Sequence, residues 1–149
     1  MRGCSSLFAV PALVLALAGC THISASQDWA SRLEGWWDEG SNPAEVCAPG
    51  RNLHRKLWEP EKRRLTFVFE RPQRIYDGSV VERISYEIRR ADGDVLTLLL
   101  EGETRRLASG EPIVWQLVFV EPGVYRWRVA GDYPFNRVWG RRCDRPGTG

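Results

Sequence analysis

From Gly35 onward, apolar and polar residues alternate along the chain with a period of two. Successive side chains of a strand point to opposite faces, so this alternation predicts half-buried β-strands. The clearest examples place the following residues on shared inner faces: Leu65, Phe67 and Phe69; Ile84, Tyr86 and Ile88; Tyr125, Trp127 and Val129. In VYRWRV (124–129), the segment with Tyr125, Trp127 and Val129, Arg126 and Arg128 are expected to face water. Two segments, VLTLLL (95–100) and IVWQLVFV (113–120), are apolar on both faces, which is typical of central or covered strands.

Turn sequences separate these strands at the spacing of an all-β domain. They are EPEK (59–62), RPQRIYDG (71–78), ADGD (91–94), ASGEP (108–112), EPG (121–123) and GDYP (131–134). We therefore predict an all-β domain over residues 29–143, an antiparallel up-and-down meander of eight or nine strands. Closing the meander into a small barrel would remove its exposed edges.

A short helix is predicted just before the first strand, in SQDWASRLEG (26–35). Ser26 or Asp28 is the expected N-cap, and Trp29 would stack against Leu33 four residues later. The segment is long enough for one or two turns.

The first 19 residues have a different pattern, with an apolar run from Leu7 to Ala18 and no charge but Arg2 before Asp28. A run of about 12 residues is too short to span a bilayer, which takes about 20. A basic start, a short apolar stretch and a small-residue end are typical of a secretory signal segment. The alternative, a core helix, would be apolar on every face and contain Pro11.

Leu17-Ala18-Gly19-Cys20 resembles the lipobox of bacterial lipoproteins. The resemblance implies cleavage before Cys20, a diacylglycerol on its thiol, and anchorage in a membrane. In such lipoproteins an aspartate directly after the cysteine retains the protein in the inner membrane. This chain has Thr21 there, which resembles lipoproteins that are sorted to the outer membrane. The expected organisation is a signal peptide (1–19), a lipidated tether (20–28), the barrel (29–143) and a flexible tail (144–149), in the outer membrane and facing the periplasm.

The four cysteines then have separate roles. Cys4 leaves with the signal segment and Cys20 carries lipid, so Cys47 and Cys143 remain. In an oxidising periplasm this pair is predicted to form a disulfide between the loop after the first strand and the last strand. Metal binding is the alternative, but with only His22 and His54 available the chain has no ligand spacing for it, and we predict no metal site.

In LEGWWD, Gly35-Trp36-Trp37 resembles the Gly-x-Trp opening of lipocalin-type barrels. The resemblance implies that Trp37 lies at the closed end of the barrel, packed against an arginine near the C-terminus. Arg128, Arg137 and Arg141 are the candidates, and the sequence does not choose among them.

Aromatic residues are the first candidates for a binding site. On the inner face they either fill the barrel, which at eight strands is just wide enough for side chains, or line a cavity for an apolar ligand. The ligand-binding candidates are Trp37, Phe67, Phe69, Tyr86, Trp115, Phe119, Tyr125 and Trp127.

Paired arginines are the second candidates, with Arg63-Arg64, Arg89-Arg90 and Arg105-Arg106 joined by a fourth pair, Arg141-Arg142. If turns alternate between the barrel ends, the turns at 59–62, 91–94 and 108–112 share one rim. That rim would gather the first three pairs against lipid phosphates or an anionic partner. The opposite rim would carry Glu70, Glu101, Glu103 and Glu121. The alternative is that these arginines are solvated strand ends paired with local acids.

Catalysis has no support in the motifs of the chain. It contains no Gly-x-Ser-x-Gly or His-Glu-x-x-His, and His54 is expected on a strand face rather than as a base. The net charge of +2 gives no reason to expect nucleic acid. We expect a protein without cofactor that binds an apolar or amphipathic small molecule. The alternative is a non-enzymatic protein-interaction lipoprotein, either an envelope assembly accessory or an inhibitor of a periplasmic enzyme.

Overall fold

The computed structural model describes residues 25–131 and 133–144. Within these residues one helix, α1 (Ala25–Leu33), precedes eight strands, and a single 3-10 turn (Pro60–Lys62) lies between the second and third strands. The strands are β1 (Trp36–Gly40), β2 (His54–Glu59), β3 (Arg64–Arg74), β4 (Val80–Asp92), β5 (Val95–Leu100), β6 (Trp115–Glu121), β7 (Val124–Val129) and β8 (Phe135–Cys143).

Each strand pairs antiparallel with the next, and β1 pairs with β8 from Trp36↔Cys143 to Gly40↔Trp139. The closed all-β meander predicted from the alternation is confirmed, with eight strands. No ninth strand forms between β5 and β6, because residues 101–114 are a single connection held by one isolated bridge, Arg106↔Pro112.

Helix α1 lies across one end of the barrel. It begins at Ala25, so Ser26 and Asp28 lie inside it and the prediction that either caps it is wrong. Trp29 and Leu33 are both buried, as the four-residue spacing predicts. Gly35 follows with φ of +104°, a conformation that glycine adopts readily and that turns the chain from the helix into β1.

The connections define two ends that are used as names below. The helix end carries α1 and the short turns β2–β3 (60–63), β4–β5 (93–94) and β6–β7 (122–123). The open end carries the connections 41–53, 75–79, 101–114 and 130–134. All four connections at the open end are longer than the three turns at the helix end, so loops and not a helix surround that opening.

The barrel interior is a core of aromatic and aliphatic side chains toward the helix end. Leu65, Phe67, Leu96, Leu98 and Leu117 are almost fully buried there, together with Trp37 and Tyr125. Gly140 faces Tyr125 across the β7–β8 pairing, and a β-carbon at that position would overlap the tyrosine ring. A glycine in β8 therefore provides the space in which the ring lies.

The outer face of β1 is covered by the 41–53 connection. Asp38, 2% exposed, accepts hydrogen bonds from the Cys47 backbone N–H (2.9 Å) and from Arg51 Nε (2.7 Å). Cys47 is bonded to Cys143, which confirms the predicted disulfide. This disulfide joins the connection between β1 and β2 to β8, and so links the two ends of the barrel sheet covalently.

The signal segment, Cys20, most of the tether and the end of the tail lie outside the described residues, so the predictions made for them stay predictions. Within the described part of the chain, no helix has the length and apolar character needed to cross a membrane.

Candidate functional site

The open end of the barrel leads into a cavity of about 570 Å³. Small-molecule sites commonly fall between about 300 and 1,000 Å³, so this volume suits one small ligand. The strands contribute an apolar wall made of Phe69, Ile84, Tyr86, Leu100, Trp115 and Trp127. Each of these residues lies on the inner face of its strand, in the half nearer the open end.

A carboxylate, Glu39, lies in this apolar wall. Its Oε1 accepts hydrogen bonds from Tyr125 Oη at 2.5 Å and from Trp127 Nε1 at 2.8 Å. Glu39 follows Trp37 by two residues in β1, so the strand alternation turns it inward. Burial together with the Glu39 charge raises the pKa of Tyr125, which therefore stays a neutral hydrogen-bond donor.

Two bases lie next to each other on the inner face of β2. His54 lines the cavity, and its Nε2 is 3.1 Å from Lys56 Nζ. Lys56 does not reach the cavity wall; its Nζ lies 4.1, 4.7 and 4.5 Å from the ring centres of Trp37, Phe67 and Tyr125. Burial lowers the pKa of both groups, and for His54 the charge of Lys56 lowers it further. A neutral imidazole therefore faces the cavity at neutral pH.

The rim of the cavity is built around Arg105 in the 101–114 connection. Its guanidinium lies 3.7 Å from the ring centre of Tyr76 and 5.4 Å from that of Trp115. The same group donates to both carboxylate oxygens of Glu103, at 2.7 and 2.6 Å, and this contact lowers the pKa of Glu103. Because its charge is balanced there, Arg105 fixes the rim rather than offering a free cation.

The predicted aromatic residues separate into two groups. Phe69, Tyr86, Trp115 and Trp127 line the cavity. Trp37, Phe67, Phe119 and Tyr125 instead pack into the core toward the helix end. The two alternatives for the aromatic residues, core or cavity, therefore each describe one half of the barrel.

The predicted arginine rim is wrong. Arg63 and Arg64 lie at the helix end with Arg89 and Arg90, but Arg105 and Arg106 lie at the open end. The prediction treated 101–103 and 108–112 as two turns with a strand between them, whereas 101–114 is one connection. Every later turn therefore lies at the end opposite to the predicted one, including 121–123 with Glu121.

Several of these arginines have local acidic partners. Arg64 binds Glu101 at 2.8 Å, Arg89 binds Glu87 at 3.0 Å and Arg90 binds Asp92. The alternative expected Glu59, Glu61, Asp92 and Asp94 as the partners, and of the three pairs only that of Arg90 with Asp92 is one of those expected.

The arginine that packs against Trp37 is Arg142. The three predicted candidates, Arg128, Arg137 and Arg141, were therefore wrong. The Cζ of Arg142 lies 5.2 Å from the Trp37 ring centre, and its Nη2 donates to the carbonyl oxygens of Ser31 and Arg32 in the last turn of α1. The reason is register: Trp37 is directly opposite Arg142 in the β1–β8 pairing, so the two share a face.

The sequence analysis did not identify Glu39, Lys56 or Tyr76 as parts of a site. Alternation from Trp37 was a usable signal for Glu39. No such signal pointed to Lys56, because HRKLW is equally compatible with Arg55 and Leu57 facing inward. Tyr76 belongs to the 75–79 connection, whose course the strand pattern does not determine.

The cavity has the shape to enclose the apolar part of a ligand between aromatic side chains, and Glu39 and His54 are the polar groups at its inner end. The described residues contain no cluster of three or more groups suited to hold a metal ion. The fold and the site together define a closed eight-stranded antiparallel barrel that has a helix across one end and a cavity open at the other. Comparison with family models, curated proteins and solved structures found no match.

Proposed function

We propose that this chain is a lipocalin-like binding protein, and not an enzyme, that holds an apolar or amphipathic small molecule in the cavity at its open end. The observation that carries the proposal is the cavity itself, about 570 Å³ with an aromatic wall, at the one barrel end that α1 does not cover. Burying an apolar ligand surface there contributes about 25 cal/mol per Å² before the cost of association.

We further propose that Cys20 carries the lipid anchor that the lipobox implies, and that the protein works at the outer membrane facing the periplasm. The support is the sequence Leu17-Ala18-Gly19-Cys20 behind a short apolar run. The Cys47–Cys143 disulfide is compatible with an oxidising compartment. Several acyl chains would hold the protein where one alone would exchange.

Binding is tested with the neutral apolar dye N-phenylnaphthylamine, whose emission rises in apolar surroundings. Wild-type protein is expected to give a saturable rise. Ile84→Trp, which fills the cavity wall, is expected to weaken binding at least about tenfold, a loss of about 1.4 kcal/mol. Leu57→Trp is the matched control, because Leu57 is an exposed apolar residue on the outside of β2. No saturable signal, or equal binding by both variants, would exclude the cavity as the site.

Anchoring is tested by growing cells with an alkyne-labelled fatty acid. The wild-type chain is expected to take up label and to fractionate with the outer membrane. Cys20→Ala is expected to lose the label. Cys4→Ala removes a cysteine from the signal segment and is expected to keep it. Label retained in Cys20→Ala would contradict the proposed anchor.

The alternative function, a non-enzymatic interaction with an envelope protein, has one observation in its favour. Four large apolar side chains are exposed around the open end, Tyr76, Val80, Tyr133 and Phe135. Two of them lie at the β3–β4 connection and two at the β7–β8 connection, on opposite sides of the opening, where a protein covering the opening would contact both pairs. Crosslinking from position 80 in intact envelopes tests this alternative. A single protein adduct that survives when Ile84→Trp fills the cavity would favour it over ligand binding.

A further inference from the structure

We propose that the cavity selects amphipathic organic cations, with the ligand ammonium bound by Glu39 and its apolar body held between the aromatic side chains of the wall. The proposal rests on the proposed binding function and names the ligand class for the same cavity. It is carried by one observation: Glu39 is a carboxylate in the aromatic wall that has no cation within ion-pair distance among the described residues.

Two of the cations at the cavity form ion pairs with nearly buried carboxylates. Arg51 is paired with Asp38, whose side chain is 3% exposed, and Arg105 with Glu103, whose side chain is 1% exposed. Arg74 is exposed at the rim and donates to the Gly78 carbonyl oxygen. His54 is held neutral by burial and by Lys56. Among the described residues that line the cavity, Arg74 is thus the cation without an acidic partner, and it lies at the rim; deeper in the wall an anionic ligand would meet no unpaired cation of this described part of the chain.

Glu39 is in the opposite condition. Among the described residues its carboxylate forms no ion pair, and within that carboxylate only Oε1 accepts hydrogen bonds, both from neutral donors, Tyr125 and Trp127. Arg51 Nη2 donates to the Glu39 backbone carbonyl oxygen at 2.6 Å, while the charge of Arg51 is paired with Asp38. It lines the cavity and is only partly buried, so Oε2 is available to a donor that enters from the open end. A carboxylate in a partly desolvated site favours a charged donor over a neutral one.

Lys56 is the basic group that could compete for Glu39. Its amine does not line the cavity, and it is enclosed by Trp37, Phe67 and Tyr125. Burial lowers the pKa of Lys56 and the nearby Glu39 charge acts in the opposite direction, but the ion pairs of the described residues include none between Lys56 and Glu39. The amine thus occupies its own aromatic cage on the side of the helix end.

The wall also suits a cation. Ring faces attract positive charge, and Tyr86, Trp115 and Trp127 lie close together, with the Tyr86 and Trp127 ring centres 5.7 Å apart and those of Trp115 and Trp127 6.4 Å apart. Trp127 belongs to both parts of the site, because its indole N–H binds Glu39 and its ring lines the cavity. An ammonium at Glu39 would therefore also be next to aromatic faces.

The test compares three ligands of nearly equal shape by calorimetry, naphthylmethylamine, naphthylmethanol and naphthoate, on the purified full chain. Wild type is expected to bind the amine at least about tenfold more tightly than the alcohol, and naphthoate least tightly. Glu39→Gln keeps an oxygen that can accept from Tyr125 and Trp127 but removes the charge. It is expected to bind the amine no better than the alcohol, while the affinity for the alcohol changes less than about twofold.

Glu121→Gln is the matched control, because Glu121 is an exposed carboxylate at the helix end. This variant is expected to keep the wild-type preference, and near-ultraviolet circular dichroism checks that both variants retain the packed aromatic core. Equal affinity for amine and alcohol, a preference for naphthoate, or an amine preference that survives Glu39→Gln would overturn the proposal while the binding function stands. Failure of all three ligands and of N-phenylnaphthylamine to bind would overturn the binding function as well.

Discussion

The two ends of this barrel are built from the same strands but differ in how the interior is filled. At the helix end, α1 lies across the opening and Trp37 and Phe119 pack beneath it, with Arg142 bonded to the last turn of the helix. At the open end, equally aromatic strands leave about 570 Å³ unfilled. The number of aromatic residues therefore does not decide whether a barrel is solid; what matters is whether another element fills the space between them.

Polar groups differ between the ends in the same way. At the helix end the polar groups bind one another. Trp37 Nε1 donates to the Leu33 carbonyl oxygen at 2.9 Å, and Arg142 donates to the carbonyl oxygens of Ser31 and Arg32. These bonds use carbonyl groups that a helix terminus leaves without partners. At the open end Glu39 keeps one oxygen uncommitted among the described residues. This contrast separates an end whose polar groups are satisfied within the structure from the end at which we propose that ligand binds, and variants at either end test it.

The largest expected effect comes from the disulfide, which joins positions 96 residues apart. Its loss in Cys47→Ala, Cys143→Ala or the double variant is expected to cost about 4–5 kcal/mol of unfolding free energy, because a long loop in the unfolded chain is no longer closed. Urea unfolding in oxidising and reducing buffer measures this cost. The double variant is insensitive to reductant and serves as the control; a wild type equally insensitive to reductant would contradict the assigned role.

The next effect compares one tryptophan from each end. Trp37→Ala is expected to cost about 3–5 kcal/mol, because the residue is completely buried beneath α1. Trp115→Ala is expected to cost less than about 2 kcal/mol, since Trp115 is only partly buried and borders the cavity, but to weaken ligand binding. Denaturant unfolding with dye binding checks both. Equal costs for the two tryptophans would contradict the difference between the ends.

A smaller effect is expected for the arginine over Trp37. Arg142→Gln removes the bonds to the Ser31 and Arg32 carbonyl oxygens and the contact with the Trp37 ring, which together contribute about 1 kcal/mol at this exposed position. Arg141→Gln, on the opposite face of the same strand, is expected to stay within about 0.5 kcal/mol of wild type. Thermal unfolding distinguishes the two variants, and equal effects would remove the special role of Arg142.

The smallest effect concerns pH. The pKa of His54 is lowered in the folded protein by burial and by Lys56, so below its ordinary value of 6.5 the unfolded chain binds a proton that the folded chain does not. Stability is therefore expected to fall as pH drops from about 7.5 to about 5.5. His54→Phe, whose ring can stack on Phe67 as the imidazole does, is expected to flatten this dependence whatever its effect at pH 7.5. Unfolding free energies at several pH values test it, and an unchanged slope would contradict the assignment.

The sequence predicted the fold well because strand alternation and turn composition are local signals. Leu65, Phe67 and Phe69 were assigned to one inner face from spacing alone, and they occupy it. The prediction failed where the position of a residue depends on the number of turns before it. Because two turns were predicted where the structure has the single 101–114 connection, Arg105 and Arg106 were assigned to the wrong end of the barrel. The choice of Arg142 over Arg141 likewise depends on register between the first and last strands, which no local pattern specifies.

The cavity was beyond the reach of the sequence for a related reason. Trp37 and Trp115 belong to the same residue type on the same inner surface, and only the position of α1 decides which of them is enclosed. Glu39 was predictable in orientation, two residues after Trp37, but not in its partners. Those come from β7, at 86 and 88 residues' separation.

The most direct test of the central claim is hydrogen–deuterium exchange with and without saturating naphthylmethylamine. Binding in the cavity predicts slower exchange in the open-end connections 41–53, 75–79 and 101–114 and in the adjoining residues of β2 and β4. It predicts no change in α1 or in the turns at 60–63 and 122–123. Protection confined to α1 and the groove beside Arg32 and Arg142, or no protection at all, would contradict the assignment of the open end as the binding site.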